Sequence, residues 1–490
     1  MSTATLGALD RIALPAPRRR FWAIHPPRYS APLTIAVLGL TDAFVLIAAF
    51  VCSVCLWALA QPAHDILHLL SYWPFLLLFI AVYVGAGLYR VVGMNPVQEL
   101  RRSVLATSLA FLIFTGSTFL LQDARWFPRR ISLLTWLLIS IALPPARAAI
   151  RKICGPRLWF GRGVVILGAG KTGESVLQAL QRNPGLGLKP VAVLDDNAKN
   201  DRLRGVPILG GLALAPELTS KARLTYGILA MPGLSRRGLL DILQKHGQSF
   251  DRLLLIPDLL GMASLCVEAT DVGGMLGLEI RHNLLYRPAR IVKRALDLAA
   301  VVALAPVLLP LFCVVASLIK LTSRGPVFYG QTRLGHGYRA FKAWKFRTMG
   351  QGADAVLRRH LENNPALAEE WRLTQKLKHD PRVTRLGKIL RRTSLDELPQ
   401  LINVIAGEMS LVGPRPIVAE EVEKYGEHFA CYRRVTPGIT GLWQISGRNN
   451  TTYDERVAFD QYYVLNWSLW LDLYILRKTV RTVLTGDGAY

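Results

Sequence analysis

Ten residues, Arg391-Arg392-Thr393-Ser394-Leu395-Asp396-Glu397-Leu398-Pro399-Gln400, concentrate the chemistry of this chain. Two adjacent carboxylates follow two arginines. A carboxylate supplies a nucleophile or a metal ligand, and a guanidinium grips phosphate oxygens through a planar fork. A second turn follows, Val412-Gly413-Pro414-Arg415-Pro416. Phosphate chemistry is the first reading. Helix capping is the second, because Ser394-Leu395-Asp396-Glu397 is also an S-x-x-E capping box. Pro399 speaks against capping alone, since its missing N–H falls where a helix needs one.

Further candidates surround this block. Arg391 and Arg415 are the phosphate-binding choices. Lys345 and Arg347, two apart on an expected strand, share one face. Arg448, in Gly447-Arg448-Asn449, is a donor-site candidate. Asp460 offers a further polar contact, with a solvated helix face as the leading reading. Gly168, Gly170 and Gly173 form G-x-G-x-x-G after the apolar strand Val164–Leu167, and Asp195 follows Gly173 by 22 residues. That spacing fits a Rossmann-like nucleotide-binding turn. The glycines equally suit a tight strand–helix turn with no ligand.

These residues need positioning in an unusually apolar chain. Hydrophobic residues make up 51% of the 490 and the net charge is +25, so an acidic partner is required. No zinc finger, leucine zipper or RNP-like motif occurs, which ranks nucleic acid last. Four apolar stretches, about 33–60, 69–89, 104–121 and 131–143, predict membrane helices. The last is expected to end at Pro144-Pro145. Basic residues flank them in a pattern that leaves both ends cytoplasmic. Cys52 and Cys55 fall in the first stretch and read as small buried side chains.

A fifth apolar stretch covers about 295–319. Basic residues lie on both sides, and Pro306 and Pro310 interrupt it. This leaves two readings, a spanning helix and one that enters the bilayer and turns back. Asp297, three residues from Arg294, is expected to pair with it. Tyr462, Tyr463, Trp467, Trp470 and Tyr474 suit either a lipid interface or a packed helix.

Five motifs occur in order over 290–490: Lys345-Phe346-Arg347-Thr348-Met349, Asp380-Pro381-Arg382, Ser394 to Leu401, Gly413-Pro414-Arg415-Pro416 and Pro437-Gly438-Ile439-Thr440-Gly441. In these the chain resembles the bacterial polyprenyl-phosphate sugar-1-phosphate transferases, and its front half resembles the large members. The resemblance implies an α-helical membrane protein of the bacterial inner membrane. It would comprise a cytoplasmic tail (1–30), four transmembrane helices (31–150), a Rossmann-like α/β domain (151–285) and a monotopic α/β catalytic domain (286–490). The last would carry a re-entrant helix broken at Pro306. The resemblance also implies Asp396 as nucleophile and magnesium ligand, with Glu397 as its partner. UDP-sugar and undecaprenyl phosphate would be the substrates, and a homodimer is an expectation by analogy. Galactose leads glucose as the sugar.

Two other classes stay open. A membrane nucleotide-sugar dehydratase would use NAD at Gly168–Asp195, and a non-catalytic scaffold would leave Asp396 a surface residue. The dehydratase needs a Tyr-x-x-x-Lys pair near the Rossmann segment. The chain has only Tyr338…Lys342 and Tyr474…Lys478, both far beyond it.

Overall fold

Apolar runs longer than a bilayer core dictate the first elements. In the computed structural model, α1 (Ala31–Ala60), α3 (Pro96–Leu120) and α4 (Arg129–Cys154) are each long and apolar enough to cross a membrane. The described residues are 29–60, 73–120, 129–198, 200–257, 267–273, 275–280, 284, 287–350, 352–363, 369, 380–446 and 451–485. They fall in two compact units, Met1–Gly261 and Met262–Tyr490.

Two expectations for the helices change. The second apolar stretch gives α2, only 10 residues long (Leu76–Gly85) after a single turn at Trp73–Phe75. That is ~15 Å of helix, short of a ~30 Å hydrocarbon core; residues 69–72 lie outside the described ones. The fourth helix does not stop at Pro144-Pro145 but runs on to Cys154. Buried charge explains its continuation. Arg147 grips Asp42 of α1 through Nε and Nη2, at 2.9 and 2.7 Å, and Glu99 of α3 at 3.0 Å. Arg151, one turn on, bonds the same Glu99. Two cations against two anions make the burial tolerable.

The rest of the first unit is a sheet in the order β3-β4-β2-β1-β5-β6. Its strands are β1 (Arg162–Leu167), β2 (Leu188–Leu194), β3 (Arg202–Leu203), β4 (Val206–Gly210), β5 (Tyr226–Leu229) and β6 (Arg252–Leu255). All pair in parallel except the β3–β4 edge. Near-continuous apolar strands such as Val164–Leu167 are what a sheet covered on both faces requires. Helix α5 (Lys171–Arg182) follows β1. Gly173 is obligatory there, because a Cβ would lie 2.0 Å from the Gly168 carbonyl oxygen.

The second unit holds the hairpin β7 (Val267–Val272) and β8 (Met275–Ile280), then α6 (Arg287–Thr322). Helix α6 is continuous in its secondary structure, with Pro306 and Pro310 inside. Its two ends are anchored to the same unit. Near the start, Lys293 bonds Asp472 at 2.7 Å, and Val301 joins a cluster with Phe341 and Val404. Near the end, Val315 and Ile319 join Phe346 and Leu390. Between Val302 and Pro310 no residue is buried.

Asp297 does not pair with Arg294. It accepts from the Ser410 hydroxyl at 2.6 Å and lies 3.9 Å from Lys293. Arg294 instead caps the carbonyls of Val404 and Ile405. The i+4 spacing of Lys293 wins over the i+3 spacing of Arg294, whose guanidinium finds the carbonyls at a helix end.

An antiparallel hairpin, β9 (Phe328–Leu334) with β10 (Ala340–Phe346), carries the next motif. Asn403, fully buried, locks it down. Its side chain accepts from the Trp344 N–H and donates to the Lys342 carbonyl. Of the C-terminal aromatics, Tyr463 and Trp467 settle as packing, both buried and both donating to Asp472, while Tyr462, Trp470 and Tyr474 are half-buried.

Candidate active site

The Asp396–Glu397 pair stands in a turn between two short helices. Helix α7 (Arg385–Arg392) begins at Thr384, whose hydroxyl accepts from the Gly387 N–H at 2.9 Å. Gly387 lets α7 lie flat on Thr348; a Cβ there would meet the Thr348 carbonyl oxygen at 2.2 Å. The chain then reverses at Ser394, which sits in the left-handed region with φ 56°. A single 3-10 turn, Leu395–Glu397, carries both acids, and Pro399 leads into α8 (Gln400–Ala406). The capping-box reading fails here. Ser394 makes no capping bond, and its left-handed backbone is not the extended conformation a cap requires.

Lys345, near the end of β10, reaches the pair. Its Nζ lies 2.7 Å from Glu397 Oε1 and 3.9 Å from Asp396 Oδ2. Arg391 donates from Nε to the Thr348 hydroxyl at 3.0 Å, which fixes its guanidinium beside the acids. Thr348 was not singled out from sequence; its place in Lys345–Met349 was the available signal. Burial pushes the Asp396 carboxyl up to about 6, partly offset by Lys345, raised further by Glu397 and lowered by Arg391. The site thus favours the protonated carboxyl up to about pH 6 and leaves the carboxylate poorly solvated.

Arg347 does not join Lys345. β10 ends at Phe346, and Arg347 turns to Ser323, donating from Nη2 to its carbonyl and hydroxyl at 2.9 and 2.6 Å. Its Nε and Nη1 are buried without a protein partner. Arg448 lies outside the described residues.

Arg415 belongs to a second group. Its guanidinium carbon lies 5.2 Å from the Trp443 ring centroid, and that of Arg456 lies 5.0 Å from the same ring. Asp460 is buried among these residues and accepts from the Tyr425 hydroxyl at 2.8 Å. It is not a solvated face, because α9 (Tyr453–Asn466) packs this side against Tyr425 and Tyr432. Burial raises its carboxyl to about 7 against the pull of the Tyr425 hydroxyl, Arg415 and Arg456.

The folded protein thus holds the Asp460 proton where the unfolded chain has lost it. Its stabilisation is full below the unfolded pKa and is lost as pH rises to about 7. Asp460→Asn is expected to flatten this decline. At pH 8 the variant should be more stable than wild type by about 2–4 kcal/mol, read by thermal unfolding in detergent.

In the first unit Asp195 is turned onto its own loop. Oδ2 accepts from the Ala169 N–H and Oδ1 from the Asn197 N–H, both at 2.7 Å. A Cβ on Gly170 would meet open space, whereas one on Gly168 would strike Met231. The Gly168 and Gly173 positions are explained by packing alone. Tyr338 and Lys342 belong to the β9–β10 hairpin of the second unit.

Among the described residues no three His, Cys, Asp or Glu side chains group to hold a metal ion. The adjacent carboxylates of Asp396 and Glu397 are oxygen donors of the kind a hard cation takes together with water.

Residues 288–486 match the family model described as bacterial sugar transferase, and residues 85–257 match one described as a CoA-binding domain. The UDP-galactose-lipid carrier transferase of Erwinia amylovora is 36% identical over 82% of this chain and 84% of its own. The undecaprenyl-phosphate galactose phosphotransferase of Salmonella typhimurium is 34% identical, over 79% and 82%. The exopolysaccharide production protein ExoY of Sinorhizobium fredii is 52% identical, over 40% of this chain and 88% of its own. The longer relatives match more of the chain than either unit alone contains. This chain belongs to the bacterial sugar transferase family.

Proposed function

We propose that this protein transfers galactose 1-phosphate from UDP-galactose to undecaprenyl phosphate, releasing UMP and starting an O-antigen or exopolysaccharide chain. The observation that carries the reading is Asp396, half-buried beside Glu397 and faced by Lys345 and Arg391. A carboxylate oxygen of Asp396 attacks the phosphorus that bears the sugar. The bond to the bridging oxygen breaks, and UMP leaves with the electron pair. A phosphate oxygen of the lipid then attacks the same phosphorus, and Asp396 departs as carboxylate. One diphosphate bond is broken and one is made, so the exchange is nearly balanced. The covalent step also lets a water-soluble donor and a lipid acceptor use one site in turn.

Glu397 holds Lys345 against the reacting group. Arg391, oriented by Thr348, neutralises phosphate charge as it develops. Magnesium held by Asp396 and Glu397 would supply further charge neutralisation on the diphosphate. Arg415, stacked on Trp443, is the second phosphate-binding arginine of this reading, whereas Arg347, turned to Ser323, supports the fold of the site.

The anchoring of both ends of α6 to one unit supports the re-entrant reading. A spanning helix would carry Val315 and Ile319 across the bilayer, away from Phe346 and Leu390. Prolines at 306 and 310 remove backbone hydrogen bonds where the turn would lie. The catalytic unit then stays on the cytoplasmic face of the inner membrane.

Purified protein with magnesium and undecaprenyl phosphate should consume UDP-galactose faster than UDP-glucose and release UMP. Preference for UDP-glucose would move the assignment to the glucose enzyme. Release of UDP would mean glycosyl transfer and overturn the mechanism.

A further inference from the structure

We propose that the protein carries a binding site for the headgroup of an anionic phospholipid at the base of α6, separate from the Asp396 site. The second unit has a cavity of about 880 Å³ lined by Arg290, Arg294, Arg339 and His336. Ile291 and Leu298 of α6 supply part of its apolar wall, with Phe341 from β10. Glu408 is the one acid in the lining, and it accepts a hydrogen bond from Asn403 at 2.6 Å. Arg294 is occupied with the end of α8, which leaves Arg290 and Arg339 to face the cavity. Burial and the fields of Arg290 and Arg339 hold the His336 imidazole below its ordinary value. His336 is therefore neutral at pH 7 and serves as a hydrogen-bonding wall.

The arrangement matches a phosphodiester with acyl chains better than free phosphate. Arg290 stands just before the apolar part of α6, at the height of lipid headgroups if that helix is re-entrant, and the inference rests on that reading. Ile291 is 68% exposed and continues the cavity wall toward the acyl region. A phosphate at the arginines would thus have its chains beside apolar side chains. The cavity borders the Ala340–Phe341 end of β10, whereas Lys345 holds the acids at the other. The separation is roughly 13 Å along the strand. A lipid seated here is not the reacting one. It would tether the catalytic unit to the bilayer at the start of α6.

The test uses full-length protein in nanodiscs of equal phosphatidylglycerol and phosphatidylcholine, with retained lipid counted by native mass spectrometry. Wild type should retain phosphatidylglycerol in clear preference. Arg290→Ala/Arg339→Ala should lower that preference roughly 25-fold, about fivefold for each arginine. Arg290→Lys/Arg339→Lys keeps the charges and should keep the preference, which separates lost binding from lost folding. If the double alanine variant does not assemble, Arg339→Ala alone should show the fivefold loss. Millimolar inorganic phosphate should leave retention unchanged. Equal retention by wild type and the alanine variants, no preference over phosphatidylcholine, or displacement by inorganic phosphate would each overturn the assignment. Sugar-phosphate transfer is assayed separately, so a wild-type protein that transfers sugar phosphate but shows no lipid preference fails this inference alone.

Discussion

Asp396→Asn is expected to lower transfer roughly ten-thousandfold or more, because it removes the attacking atom and not merely a contact. Glu397→Gln should cost less, since Glu397 acts on Lys345 and the charge around the site. The same Asp396 variant should gain stability. The folded carboxyl, raised to about 6, favours the protonated form between the unfolded value and that pH. Stability from this group is thus complete at low pH and lost as pH rises through about 6. In metal-free buffer at pH 7, Asp396→Asn should be more stable than wild type by about 1–3 kcal/mol. Activity assays and thermal unfolding on one preparation read both effects. Full transfer by the variant would remove Asp396 from the chemistry.

The second large effect is structural. Lys293→Met should destabilise the second unit by about 3–5 kcal/mol, because it breaks a buried ion pair from one side. Lys293 stands between Asp472 at 2.7 Å and Asp297 at 3.9 Å. Its loss leaves two buried carboxylates facing each other, with neutral donors such as Ser410, Tyr463 and Trp467 in place of a cation. Asp472→Asn in the same chain should restore much of the loss. The double variant no better than Lys293→Met would show that Lys293 acts through packing and not through charge.

The active-site block was legible because its residue types are rare together. Asp396, Glu397, Lys345 and Arg391 come to one place from motifs far apart in sequence. Arg347 was misread because strand alternation was carried one residue past the end of β10. The Ser394 capping signal was a true local pattern overridden by chain reversal into the left-handed region. Asp460 was invisible as a buried group, since only the fold brings Tyr425 against it.

Sequence periodicity similarly located the Rossmann-like sheet but not the use of Asp195, which bonds its own glycine loop. In the front bundle, prolines 144 and 145 predicted a stop. Long-range pairing of Arg147 with Asp42, across 105 residues, carries the helix past them. A single charged side chain inside an apolar stretch gives no indication of its partner.

The central claim is a phosphosugar held covalently on Asp396. Wild-type protein is incubated with UDP-galactose and magnesium without lipid acceptor, quenched in acid, digested and analysed by mass spectrometry. The account predicts that the peptide containing Asp396 gains one hexose phosphate less water, with release of UMP, and that undecaprenyl phosphate discharges the adduct. UMP release dependent on the lipid acceptor, with no adduct on Asp396 at any time, would contradict it.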